Sequence, residues 1–113
     1  MRLDTARKFA LSLPETTEAP HFDMSSFRVK GKIFCTVPPD GKRLHIPVGV
    51  HEVQALVAEN PKAYEVIIWG KREVSDWVRV HLPHANAAEV KELLEEAWRS
   101  KAPKRVLAAY DAG

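Results

Sequence analysis

Between Phe27 and Val37 the chain reads FRVKGKIFCTV, and this stretch limits the possible folds more than any other. Phe27 and Val29 alternate with Arg28 and Lys30, and Ile33, Cys35 and Val37 continue the period of two beyond Gly31. Successive side chains of a strand point to opposite faces of its sheet, so the pattern predicts two strands with one apolar and one polar face. Gly31 supplies the unrestricted backbone that a tight hairpin turn demands.

The neighbouring segments extend the sheet. PPDGK (38–42) is a turn in which Pro pre-sets one backbone angle while Asp and Gly tolerate the rest. A third strand follows, with Leu44, Ile46 and Val48 on one side and Arg43, His45 and Pro47 on the other; Pro47 lacks a backbone donor and suggests a strand edge or end. YEVIIW (64–69) and WVRVHL (77–82), separated by GKREVSD, predict two more strands. Helices are predicted at 4–13, opened by Asp4 and stopped by Pro14, at 51–60, closed by Asn60 in a left-handed conformation before Pro61, and at 87–101. The last has the strongest period: Val90, Leu93, Leu94, Ala97 and Trp98 share a face, and Asn86 with Glu89 resembles a capping box. ETTEAPHFDM (15–24) reads as a loop. The expected architecture is a single α+β domain over 1–113, two-layered, with a five-stranded antiparallel sheet and three helices on one face in the order α-β3-α-β2-α. Phe9, Leu13, Val90, Leu94 and Trp98 should be buried.

A length of 113 residues, of which 45% are hydrophobic and 28% charged, suits one core and not two. The net charge is only +2, so a basic surface has to come from the arrangement of charges and not from their total. One cysteine excludes an internal disulfide and fits a reducing, cytoplasmic setting. No uninterrupted apolar run is long enough for a membrane span, and no membrane association is expected.

Four stretches, LSLPETTEAPHF, FRVKGKIFCTV, WGKREVSDWVRVHL and LLEEAWRSKAPKR, together resemble the MmcQ/YjbR family of small bacterial proteins over roughly Leu3 to Val106. The resemblance implies a double-wing α-β3-α-β2-α fold related to secretion chaperones, and it brings the family's DNA-binding label without assigned base-reading or catalytic residues. Trp98 stands where the family often has Tyr, which still allows a large buried aromatic.

If the apolar alternates pack on helices, Arg28, Lys30, Arg43, His45, Trp77, Arg79 and His81 point the other way, forming a basic face without acids. Cations attract phosphates and an indole can stack on unpaired bases, so such a face suits DNA or another nucleic acid. Lys32, Lys71 and Arg72 add charge at hairpin turns, and Lys104 and Arg105 add it after the last helix. Basic residues at a helix end also answer the helix dipole, and basic strand faces also keep edges soluble. Trp69 is at least as suited to packing on the core as to meeting a ligand. His81 and His84 have a three-residue spacing that does not put both rings on one side of a strand, and no cluster completes a metal site. Cys35 lies mid-strand, where a thiol serves as a small buried hydrophobe, and no nucleophile motif or phosphate loop occurs. No enzyme activity, metal or cofactor is expected. The alternative to nucleic acid is a protein-interaction or dimerisation module.

Overall fold

The computed structural model describes residues 1–113. Its elements are α1 (Leu3–Ser12), β1 (Thr16–His21), β2 (Met24–Val29), β3 (Lys32–Val37), β4 (Arg43–Pro47), α2 (Val50–Glu59), β5 (Tyr64–Trp69), β6 (Arg72–His81), a 3-10 turn (Leu82–His84), α3 (Ala87–Lys101) and α4 (Lys104–Ala112). The strands form one antiparallel sheet in the order β1-β2-β3-β4-β6-β5. α1 packs on β1 and α3, α2 on β5 and β6, and α3 across β2, β3 and β4. The α+β class is as expected, but the sheet has six strands instead of five and there are four helices instead of three.

The sixth strand is β1, in the segment expected to be a loop. TTEAPH has no apolar alternation because it is an edge strand, and Pro20 is tolerated there since an edge residue need not donate to a ladder. The fourth helix follows Pro103, which sits at its N-cap with an extended ψ of 153°. α4 returns along α3: Val106 is buried and Tyr110 meets Trp98 edge-on at 4.9 Å. Trp98 is itself fully buried, and its indole N–H donates to the Pro14 carbonyl at 3.0 Å, tying α3 to the chain just after α1. Full burial of a side chain of this kind is worth roughly 1.5–3 kcal/mol or more. Leu13, Val90 and Leu94 are buried as expected, whereas Phe9 is only half-buried, under Lys91.

Element ends show further differences. Arg2, not Asp4, is the N-cap of α1, and Asp4 lies in the first turn where the helix dipole favours an acid. Asn60 ends α2 with φ −144°, so it is not left-handed, and its side-chain oxygen accepts from the Ala63 N–H. Asn86 does cap α3 by accepting from the Glu89 N–H at 3.0 Å; the Glu89 carboxylate, instead of reaching back, takes the Tyr64 hydroxyl. GKREVSD is no separate connection, because β6 begins at Arg72.

The sequence period also breaks inside β3. The β2–β3 register shifts between Phe27 and Arg28, so Phe27 faces Cys35 while Arg28 faces Ile33. Phe34 is the extra residue of this bulge, and it enters the core with Cys35. Ile33, expected inside, lies half-exposed beside Arg28 on the face away from the helices. Lys30 is not a strand residue at all. With φ +50° at Lys30 and +83° at Gly31 the hairpin has a type I′ turn, the form whose twist matches its strands.

Candidate nucleic-acid interface

One row of cross-strand partners crosses the open face over all six strands: Ala19, Ser26, Thr36, His45, Arg79 and Glu65. Partners in register share a face. Thr36 and His45, and Ser26 beside them, are buried even though no helix covers them. Long side chains lying flat over the small ones account for this. Arg28 Nε donates to Ser26 Oγ at 3.0 Å and its Nη2 donates to the Pro20 carbonyl, while Arg79 Nε donates to His45 Nε2 at 3.1 Å. Trp69 meets the His45 ring edge-on at 5.9 Å.

The face is not free of acids. Glu65, in register with Arg79, accepts from Arg79 Nη1 at 3.3 Å and from His81 Nε2 at 2.9 Å. These bonds, that from His81 foremost, hold the Glu65 carboxyl below its ordinary range. At the next level Asp40 accepts from the Lys42 N–H and from Arg43 Nε at 2.7 Å, and these bonds, the backbone one foremost, hold its carboxyl below the ordinary range. His45, expected to be exposed and cationic, is neutral: burial above all, then the charges of Arg79 and Arg43, push it down to about 4. The Cys35 thiol is likewise buried, and desolvation pushes it far up, away from thiolate character.

The expected cations therefore divide. Arg43 and Arg79 are ion-paired, His45 carries no charge, and Lys30 stands 3.9 Å from Glu15. Lys104 and Arg105 lie on α4 in the helical layer, Arg105 lining a hollow with Pro14, Glu15 and Tyr110, so neither joins the sheet face. Lys32, Lys71 and Arg72 are exposed and make no ion pair or side-chain hydrogen bond. Moving along the row from Ser26 to Arg28, from His45 to Pro47 and from Arg79 to Trp77 leads to one end of the sheet. The Lys30-Gly31 and Gly70-Lys71 turns both leave from that end. Three strand spacings separate them, about 14 Å.

Two aromatics are exposed. Trp69, whose sequence position suits the core at least as well as a ligand, is half-exposed, and Phe22, with φ +56°, stands 90% exposed on the β1–β2 turn at the opposite end of the sheet. Phe22 was hidden in a segment without periodicity. Trp77, half-buried, pairs with Pro47 on the open face as alternation implied. His81 is bound to Glu65 and His84 is exposed on the 3-10 turn, so the two imidazoles share no ligand geometry. On the helical side, Glu52, Asp76, Glu92 and Glu96 line an open hollow of about 590 Å³.

Residues 11–100 match the family model described as YjbR. The crystal structure of Deinococcus radiodurans protein DR2400, with a domain of the DUF419 family model, superposes with a TM-score of 0.70 at 22% sequence identity; the match covers 86% of this chain and 75% of that one. The likeness is one of fold. No curated protein matches the chain. No helix is long and apolar enough to cross a membrane.

Proposed function

This chain belongs to the YjbR family, and from that premise we propose that it is a non-catalytic module that binds DNA or another nucleic acid by its phosphates, through the two basic turns at one end of the sheet. The observation that carries the reading is the set of unpaired, exposed cations Lys32, Lys71 and Arg72 on hairpins leaving the same end. Phosphate contact by such side chains positions a backbone without reading its sequence. Arg28 and Trp77, on the adjoining open face, extend the surface toward bases or sugar. Arg79 and Arg43 contribute less, because each would have to leave a carboxylate to take a phosphate.

The test is the salt dependence of binding to single- and double-stranded oligonucleotides. Wild type should bind with a logarithmic slope of about −0.7 to −0.9 per phosphate neutralised. Lys71→Ala and Arg72→Ala should each reduce that slope by about one unit or less, whereas Arg79→Ala should leave it nearly intact. If a base stacks on Trp77, Trp77→Ala should weaken single-strand binding by roughly 1–3 kcal/mol without changing the slope. Absence of salt-dependent binding at micromolar protein and low salt would remove nucleic acid as the ligand.

A further inference from the structure

The two edges of the sheet are built differently. β1 carries Pro20 and the charged Glu18, which is bonded to Arg7, and both features discourage the addition of another strand. β5, YEVIIW, has neither Pro nor Lys and exposes Ile68 (56%) and Trp69 (53%). α2 covers one of its faces and nothing lies along its outer side.

The hydrogen-bond parity of that outer side follows from the ladder. The His81 N–H donates to the Ala63 carbonyl at 2.7 Å, so the 63/81 pair is a hydrogen-bonded one. Alternation then turns the backbone of Glu65 toward β6 and that of Val66 outward. Past the irregularity at Val66 and Ile67, the two-residue Gly70-Lys71 turn closes on the Trp69/Arg72 pair. Ile67 and Trp69 there bond toward β6, and Ile68 faces outward.

We propose that the β5 edge is a dimer interface, occupied by β5 of a second copy of this chain running antiparallel about a two-fold axis at Ile68. Three features select this partner and register together. Outward-facing Ile68 meets Ile68 of the second copy, so ladder bonds form at a position of the correct parity, and outward-facing Val66 comes opposite the Gly70 turn of the second copy. Ile67, already buried, comes beside Trp69 of the second copy on the open face, so the exposed indole is covered in the same step that covers the exposed Ile68 on the axis. Glu65 comes opposite Lys71 of the second copy, twice across the axis, which gives opposite charges at paired positions. Side chains keep their faces in antiparallel pairing, so the two sheets continue as one of twelve strands with a common open face. The interface stands whether or not the chain binds nucleic acid.

Sedimentation velocity over a concentration series, with amide hydrogen exchange at low and high concentration, tests the proposal. Wild type should show a monomer–dimer equilibrium in which the Ile68 amide gains protection on dimerisation, while those of Glu65 and Ile67, already bonded to β6, do not change. Ile68→Lys, at an exposed position, should raise the dimer dissociation constant about tenfold or more. Lys71→Glu should raise it as well, with a smaller effect at high salt. A monomer at every concentration overturns the proposal. So does a dimer whose Ile68 amide exchanges as in the monomer, or edge protection that appears only when an unrelated extended peptide is added.

Discussion

The imidazole of His45 has to stay neutral to hold its place, because its Nε2 accepts from the Arg79 guanidinium and a proton there would set two like charges 3.1 Å apart. Its folded pKa is about 4, against an ordinary value of 6.5. Between these values the unfolded chain binds a proton that the folded chain does not, so stability falls as pH drops from 6.5 toward 4 and the loss is complete below the folded pKa. The linkage amounts to at most about 3 kcal/mol. Urea unfolding at pH 7 and at pH 5 should show wild type weakening by part of that amount. His45→Gln, which keeps an acceptor for Arg79 and does not titrate, should lose most of this dependence; an equal slope in both proteins would contradict the neutral assignment. The carboxyls of Glu18, Asp40 and Glu65, all held below their ordinary range, act separately: they stabilise above the unfolded carboxylate pKa and lose that effect at lower pH. Alternation placed His45 on the correct face, but its burial depends on Arg79 and Trp69 lying over it, and that is a matter of tertiary packing.

Among the elements, α3 is the one whose sequence states both its limits and its buried face. Its apolar period, its Asn86 cap and its basic last turn of Arg99 and Lys101 all agree, and the structure places it at the expected 87–101. Asn86→Ala should cost about 1 kcal/mol by leaving the Glu89 N–H without its acceptor, measurable as a shift in denaturation midpoint with an unchanged m-value. No loss of stability would mean that the Tyr64–Glu89 bond alone secures this helix start. β1 was not legible because its partners come from β2 and α1, not from its own pattern. α4 was hidden by the basic run that opens it, although Val106 and Tyr110 are spaced to share a face. The β3 bulge illustrates a different limit: a period of two fits Ile33, Cys35 and Val37, and only the pairing with β2 shows that Phe34 goes inside in place of Ile33. Of the candidate site, the turn cations Lys32, Lys71 and Arg72 were legible because turns are exposed whatever the packing. The pairing of Arg79 with Glu65 was not, since fourteen residues and a bulged hairpin separate the two.

On the scale of the whole molecule, a net charge of +2 conceals a separation of signs. Lys32, Lys71 and Arg72 stand free on the two turns at one end of the sheet, and four carboxylates line the hollow on the helical side at Glu52, Asp76, Glu92 and Glu96. Asp76 belongs to the part of β6 left without β5 partners, and its carbonyl accepts from the Val48 and Gly49 N–H groups, so the hollow opens toward the same end of the sheet as the basic turns. A polyanion docked on the turns should feel these carboxylates at a distance without touching them. Contact and distance separate in salt, because the slope of binding counts phosphates neutralised by contacting cations, whereas repulsion beyond contact decays over a Debye length of about 8 Å at 0.15 M. Glu92→Gln combined with Glu96→Gln should therefore raise nucleic-acid affinity at low salt and lose that advantage near physiological salt. The slope itself should change by less than about one unit, set against the reduction expected from Lys71→Ala. Affinity titrations at four or more salt concentrations decide between the outcomes. A gain that persists at high salt, or a slope altered by a full phosphate contact, would place the polyanion against the helical layer and away from the turns.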